Sequence, residues 1–216
     1  MRLNLAALTE GELLALFGPA ETQVRLPEIT RARLENRPLL GQELPASLTS
    51  HPLPDDSARV WGATPEQSRA LSSRHTELLA LGAVPEGTYQ LATELYARGY
   101  SLGDIALGLQ WSENVPQAGE PTVRLLTWLR DRASGLACVI TSNAAQPPAP
   151  TGSEEADLHL HPNATMPELL AFHRQHVQKL GRAQKLSAEQ GWRGAWQAAH
   201  DLNLVAWKRR GVVVEG

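Results

Sequence analysis

Apolar residues recur every three to four positions over several stretches of the chain, and many of these stretches follow a residue that can cap a helix. A Ser or Thr followed three residues later by an acid or an amide satisfies two backbone donors at a helix start. This spacing begins at Thr9, Thr64, Ser101, Thr165 and Ser187. With glycines as stops, the pattern predicts eight helices, over residues 9–17, 27–36, 65–81, 86–98, 102–110, 121–133, 166–180 and 188–209.

Short strands are predicted where β-branched or aromatic residues cluster or alternate with polar ones. Five segments have this character, at 24–26, 58–61, 136–141, 156–161 and 212–215. Because the predicted helices outweigh them, we expect an α+β protein that is mainly helical, with about eight helices and a few short strands that form one small sheet.

Proline and small residues interrupt the pattern between positions 143 and 155. Such a composition is typical of a linker or an exposed loop. We therefore expect a helical N-terminal and central part over residues 1–142 and a strand-helix-helix unit with a basic tail over residues 156–216.

Composition narrows the class of protein. The chain has 216 residues, of which 42% are hydrophobic and 20% charged, as in ordinary globular proteins, so a disordered chain is excluded. The net charge of −3 hides an uneven distribution, because residues 161–216 carry 8 basic and 4 acidic side chains and the rest of the chain is acidic. Any contact with a polyanion must therefore be local.

Cysteine content and hydropathy bear on the compartment. Cys138, the single cysteine, lies in an apolar run and excludes an internal disulfide. We expect no signal peptide, because Glu10 and Glu12 interrupt the first apolar residues, and apolar residues nowhere run long enough to span a bilayer. We expect a cytoplasmic protein with no membrane partner.

A DNA-binding module is the first functional hypothesis. Gly99-Tyr100-Ser101, followed by Asp104 and Ile105-Ala106, resembles the centre of many helix-turn-helix modules, and the segment 86–132 could supply the flanking helices. That resemblance implies nucleic acid as the partner. Arginine and threonine side chains of the third helix and the basic end of the last helix would make the contacts, namely Thr122, Arg124, Thr127, Arg130, Arg132, Lys208, Arg209 and Arg210. The alternative is a set of packed, capped helices with a leucine core.

A metal site is the second hypothesis. If residues 156–161 form a strand, Asp157, His159 and His161 share one face. His173 and His176 stand three apart on the next predicted helix and lie on one side of it. Together these side chains could hold a divalent metal ion in a small hydrolase. Otherwise we expect no cofactor, and the histidines would hydrogen-bond to neighbours within the core.

A protein interface is the third hypothesis. Trp192, Trp196 and Trp207 form a stripe on the last predicted helix, typical of a packing face or a homodimer interface. The chain has no P-loop, dinucleotide fingerprint or nucleophile elbow. We therefore expect a non-enzymatic binding or regulatory protein that contacts nucleic acid, with the metal-dependent hydrolase and the tryptophan interface as alternatives.

Overall fold

The structure is a computed structural model, and it describes residues 1–44, 51–53, 59–92, 94–115, 119–131, 134–187 and 191–215. Four α-helices occur in these ranges: α1 (Glu10–Leu34), α2 (Pro65–Ala80), α3 (Met166–Leu180) and α4 (Gly191–Arg209). The strands are β1 (Arg2–Asn4), β2 (Leu40–Glu43), β3 (His51–Pro52), β4 (Val84–Ala92), β5 (Leu95–Leu102), β6 (Ile105–Ser112), β7 (Thr122–Trp128), β8 (Cys138–Ser142), β9 (Ala156–Leu160) and β10 (Val213–Val214).

Contacts within the chain group it into two compact units. Unit 1 comprises Met1–Ser47, Gln146–Glu154 and His200–Gly216, and unit 2 comprises Leu48–Ala145 and Glu155–Ala199. The segment predicted to be a linker, 143–155, thus contributes Gln146–Glu154 to unit 1. None of the helices in the described part of the chain combines the length and apolar character needed to cross a bilayer.

Unit 2 is built on a mixed sheet of six strands, β4 to β9 in sequence order, with the two-residue strand β3 paired to β4 at one edge. Neighbouring strands run antiparallel except β8 and β9, which are parallel. One face packs against α2 and α3 through a single apolar cluster that includes Leu78, Leu107, Leu125 and Leu169. The other face receives Trp192 of α4, whose indole would collide with any side chain at Gly99. The sheet is therefore covered on both faces.

The prediction of a mainly helical fold with eight helices is wrong, because the segments 86–98, 102–110 and 121–133 contain the strands β4 to β7. β6 explains the error. Leu107 and Leu109 of β6 face α2 and α3, and Ala106 lies on the opposite face, which α4 covers. The strand is therefore buried on both faces. It therefore lacks the alternation of apolar and polar residues that marks a half-exposed strand.

The helix-turn-helix prediction fails for a related reason. Ser101 and Asp104 do not cap a helix. Ser101 lies on β5, and Asp104 is the second residue of a tight two-residue hairpin turn between the paired residues Leu102 and Ile105. Gly103, with φ of 66°, supplies the left-handed conformation that such a two-residue turn requires. Because 86–132 holds no pair of helices in its described residues, the prediction of DNA binding by such a module is withdrawn.

Other local predictions hold. α2 and α3 match the predicted helices 65–81 and 166–180, and the capping pairs at Thr9, Thr64 and Thr165 form. The first two predicted helices lie in α1, which breaks at Gly18 with φ of 73°. The strand predicted at 24–26 is wrong because those residues are helical in α1. Of the strand predicted at 58–61, residue 58 lies outside the described residues and the others are not in a strand.

Unit 1 contains a three-stranded antiparallel sheet in the order β10, β1, β2. Glu12 on α1 is only 4% exposed and links this helix to two other segments of unit 1. It accepts hydrogen bonds from Arg210 Nη2 at 2.8 Å and from the Thr151 backbone N–H at 2.7 Å. Burial alone would raise the pKa of Glu12, but these bonds and those from Thr9 outweigh it and lower the pKa to about 2. The carboxylate is thus ionised throughout the physiological range.

Candidate functional site

The histidines predicted to bind a metal gather between the edge strand β9 and helix α3 in unit 2. Asp157 Oδ2 lies 2.7 Å from His159 Nε2, so that carboxylate orients the imidazole. The rings of His159 and His176 stack almost parallel, with centroids 3.5 Å apart and an interplanar angle of 7°. Asp157 and His159 therefore face α3 from one side of the strand, as alternation predicts.

His161 continues this row. Its ring stacks on Phe172, with centroids 4.3 Å apart, and lies 6.0 Å from the His176 ring. Its Nε2 is buried and has no hydrogen-bond partner among the described residues. The row is therefore held together by ring contacts more than by polar bonds.

His173 lies under the helix, fully buried against the sheet. Its Nε2 lies 2.9 Å from Thr127 Oγ1 on β7, and its Nδ1 lies 2.9 Å from Thr141 Oγ1 on β8. Burial, with smaller contributions from His176, His159 and Arg174, lowers the pKa of His173 to about 3. Because both ring nitrogens form hydrogen bonds, His173 is a neutral side chain that links α3 to β7 and β8.

These contacts do not assemble a metal centre. His173 has no free nitrogen, and the stacked His159 and His176 turn ring faces, not lone pairs, toward each other. Within the described ranges, no three His, Cys, Asp or Glu side chains are placed to share an ion. The metal-dependent hydrolase hypothesis gains no support from the geometry.

The residues predicted to contact nucleic acid are not on a recognition helix. Thr122, Arg124 and Thr127 belong to β7, and Thr127 is buried beneath α3. Arg130 is exposed beyond the end of β7, and Arg132 lies outside the described residues.

The basic end of the last helix has structural partners in part. Arg210 is bonded to Glu12, and Lys208 Nζ stands 4.0 Å from the Glu215 carboxylate. Arg209 ends α4 and is exposed. The C-terminus of a helix carries partial negative charge and favours cations, so these basic residues are explained without a ligand.

The tryptophans predicted to form an interface are used within the chain. Trp192 is fully buried and Trp196 nearly so. Trp207 Nε1 donates to the Thr151 carbonyl oxygen at 2.8 Å. Trp192 and Trp196 thus offer no surface to a partner, and the structure gives the predicted dimer no support.

An arrangement of polar groups on the α4 face of the sheet was not predicted from the sequence. Gly99, Gly108 and Arg124 are cross-strand neighbours on β5, β6 and β7, so Arg124 projects to the face on which α4 lies. A Cβ at Gly108 would lie 3.2 Å from Trp192 Nε1 and 3.5 Å from Trp196 Cζ2. The two indoles therefore lie over a point where the sheet carries no side chain, and Arg124 is the cross-strand neighbour of that point.

Two buried donors at this point lack acceptors. Trp192 Nε1 and Trp196 Nε1 are screened from solvent and have no hydrogen-bond partner in the described part of the chain. Arg124 is half-buried, and desolvation lowers its pKa. We call Arg124, Trp192 and Trp196 the donor cluster. Buried donors are nearly always paired in native proteins, so the two indoles beside a half-buried arginine point to an absent acceptor.

Side chains of β4 and β7 hold the α4 part of the donor cluster in place. Glu86 Oε2 on β4 accepts from the Trp192 backbone N–H at 2.6 Å, which fixes the first turn of α4. The Trp192 ring stacks on Tyr89, with centroids 4.9 Å apart. Trp128 Nε1 on β7 donates to the Ala195 carbonyl oxygen at 3.2 Å. The indoles are therefore positioned before any ligand arrives.

Comparisons with known proteins add no relative. No protein-family model matches the chain, no curated protein matches it, and no solved structure matches it. The class that the fold defines is an α+β protein with a mixed sheet covered by helices on both faces in unit 2. A functional assignment must therefore come from the chemistry of the sites.

Proposed function

We propose that the protein is a non-enzymatic binding protein whose ligand is a small anion with carboxylate or phosphate oxygens, bound at the donor cluster. The observation that carries the proposal is the pair of buried indole donors without acceptors, Trp192 and Trp196, at Gly108, whose cross-strand neighbour is Arg124. We retain with it the sequence-based prediction of a cytoplasmic location.

The energetics favour an anionic ligand. A guanidinium supplies parallel N–H groups that match a carboxylate or phosphate, and an indole supplies one more donor. A buried donor left unpaired costs about 1–3 kcal/mol, and more for a charged group. A ligand that pairs all three recovers much of this energy. Because the indole nitrogens are screened from solvent, the ligand meets Arg124 first and the indoles after a small side-chain movement.

The same residues argue for binding without chemistry. Arginine stays protonated in proteins, and an indole N–H only donates, so none of the three side chains can act as a general base or a nucleophile. The imidazole row of α3 and β9 faces the other side of the sheet, where His173 contacts Thr127. The donor cluster can therefore hold a ligand but supplies no group to transform it.

The test is a titration of the full-length, nitrogen-15-labelled protein with phosphate and separately with acetate. The chain has six tryptophans, so six indole N–H resonances are expected. Saturable shifts should appear in two of them, assigned with Trp192→Phe and Trp196→Phe. Arg124→Gln should weaken binding about tenfold or more, as for a lost charged hydrogen bond. Arg130→Gln, at an exposed arginine just beyond the same strand, is the control and should bind normally.

A stability measurement separates the proposal from a purely structural role of Arg124. Arg124→Met keeps most of the side-chain length but removes all its donors, so it should abolish binding with little loss of stability. The absence of saturable indole shifts with both anions, equal binding by Arg124→Gln and wild type, or a strong loss of stability in Arg124→Met would each overturn the assignment.

A further inference from the structure

Three aromatic rings pack against one another at one end of the sheet in unit 2, with Trp61 and Tyr96 partly exposed and Trp111 buried. Tyr96 on β5 and Trp111 on β6 are directly paired across the strands, and their rings stack with centroids 5.8 Å apart. Trp61, which precedes α2, meets both rings edge-on, at 5.4 Å and 63° to Tyr96 and at 5.5 Å and 79° to Trp111. We call Trp61, Tyr96 and Trp111 the aromatic box.

A carboxylate stands beside the box. Glu113 Oε1 accepts from the Gly62 backbone N–H at 3.0 Å and lies 3.4 Å from Trp111 Nε1. The Glu113 backbone N–H donates to the Glu94 carbonyl oxygen at 2.7 Å, which fixes the carboxylate relative to β5. The side chain of Glu113 is only 16% exposed. The negative charge is therefore held in one place and partly shielded from water.

The loop that carries Trp61 is also fixed. Gln67 Oε1 accepts from the Ala63 backbone N–H, and Gln67 Nε2 donates to the Ser112 carbonyl oxygen at the end of β6. Gly62 has φ of 109°, and a Cβ there would lie 2.8 Å from the Ser68 backbone nitrogen. A larger residue at position 62 would shift the backbone next to Trp61, so this glycine is needed for the position of the Trp61 ring.

A guanidinium occupies the box. The Cζ atom of Arg59 lies 4.0 Å from the centre of the Trp61 ring and 5.3 Å from that of Tyr96. Its Nη2 donates to Glu113 Oε2 at 2.6 Å. Both distances to the rings are within the range of a cation–π interaction. The position of Arg59 thus shows which kind of group can bind here: a planar cation that stacks on the rings and donates a hydrogen bond to the carboxylate.

Arg59 is held more loosely than the box itself. Its side chain is 37% exposed, and within the described part of the chain it contacts Glu113 through an ion pair and Trp61 and Tyr96 through their side chains. Such interactions are individually weak, so a cation from a ligand can compete for the same position. The three rings and Glu113, by contrast, are tied to β5, β6 and α2.

We propose that the aromatic box and Glu113 form a recognition site for the guanidinium group of an arginine-bearing ligand, and that Arg59 occupies this site as an internal competitor. A ligand arginine would displace Arg59, stack on Trp61 and donate to Glu113. Glu113 selects a guanidinium over a quaternary ammonium, because the latter has no N–H group to donate. This site shares no residue with the donor cluster.

The test uses the full-length protein and three probes: methylguanidinium, tetramethylammonium and argininamide. Arg59→Ala empties the box and should bind methylguanidinium about tenfold more tightly than wild type does, since no internal competitor remains. The readout is the indole N–H shift of Trp61 and Trp111. Arg69→Ala is the matched control, because Arg69 is an exposed arginine of α2 paired with Glu66, and it should behave as wild type.

Further variants test the roles of the rings and the carboxylate. In the Arg59→Ala background, Glu113→Gln should weaken methylguanidinium binding about tenfold and tetramethylammonium binding less, because the latter loses the charge attraction but no hydrogen bond. Trp61→Leu should weaken both. Tighter binding of argininamide than of methylguanidinium would show that the ligand's backbone also contributes, which supports a peptide or amino-acid source within the same proposal.

Three results would overturn the inference: no saturable shift in folded Arg59→Ala at tens of millimolar methylguanidinium, equal affinity of Arg59→Ala and Arg69→Ala, or a preference for tetramethylammonium. Should Arg59→Ala fail to fold, the side-chain Nε resonance of Arg59 in wild type provides the measurement. Excess methylguanidinium should then move it toward the position of a solvated arginine, and an unchanged resonance would refute displacement.

Discussion

Acid should destabilise unit 2 through one buried imidazole. His173 is neutral in the fold, where its nitrogens contact Thr127 and Thr141 and where His159, His176 and Arg174 oppose a positive charge. In the unfolded chain the same imidazole is exposed to water and takes up a proton readily. Protonation therefore favours the unfolded state.

The size of the effect follows from the two pKa values. The pKa of His173 is about 3 in the fold and 6.5 when unperturbed. Between these values the unfolded state binds one proton more, so stability rises with pH in that window. The contribution is complete above pH 6.5 and is lost progressively as the pH falls toward 3. At about 1.4 kcal/mol per pH unit, a change from pH 6.5 to 5 removes about 2 kcal/mol.

Urea unfolding followed by tryptophan fluorescence at several pH values measures this slope, because five of the six tryptophans lie in unit 2. His173→Gln should lower stability at pH 8 but flatten its dependence on pH between 6.5 and 5. Thr141→Val is the control, since it removes one hydrogen bond and keeps the titrating ring. Equal slopes in wild type and His173→Gln would refute the reasoning.

Further outcomes follow from contacts at Gly99 and Glu12. Gly99→Ala should destabilise unit 2 by about 1–3 kcal/mol or more in urea unfolding, because its Cβ would lie 2.6 Å from the Trp192 ring. Gly103→Ala should cost only about 1 kcal/mol, since its turn conformation is strained but the added Cβ meets nothing within 4 Å, and equal losses would contradict the packing argument. Glu12→Gln should destabilise unit 1 by about 3 kcal/mol through the loss of its pair with Arg210, measured by hydrogen exchange in β1. Because the folded pKa of Glu12 is depressed to about 2, wild-type unit 1 should lose this stabilisation as the pH falls from 4.5 toward 2, and unchanged exchange at pH 3 would contradict the assignment.

Helices with caps were predictable because their signals are local. Thr165 and Glu168 form the expected capping box, and α3 spans the predicted residues. β8, β9 and β10 were also found, since each is short and rich in β-branched residues or alternates in polarity. In these elements the preferences of the chain agree with the tertiary structure.

The central strands were missed because their pattern depends on partners distant in sequence. β6 has small residues at Ala106 and Gly108 where α4 approaches and large ones at Leu107 and Leu109 where α2 and α3 pack. From the sequence alone, such a run of apolar residues fits a helix as well as a doubly covered strand. The Gly-Asp turn after Leu102 was the one local signal of a hairpin.

Sequence reasoning located charged and aromatic residues of interest but not their pairing. Alternation correctly placed Asp157 and His159 on one face, yet ring stacking and the two threonines around His173 determine what the histidines do. The aromatic box was missed because Trp61, Tyr96 and Trp111 are separated by up to 50 positions and meet only through strand pairing. Spacing along the chain carries no information on such contacts.

Arg124 shows how the structure changes the meaning of a residue without changing its chemistry. On a predicted helix its charge favoured a phosphate backbone; on β7 the same side chain is half-buried on the α4 face, beside Gly108, and no carboxylate among the described residues pairs with it. Trp192 and Trp196 present two buried donors without acceptors in the described part of the chain, and the ligand proposed above would pair with them and with Arg124. The missing partner, rather than the charge itself, is therefore the feature that indicates binding.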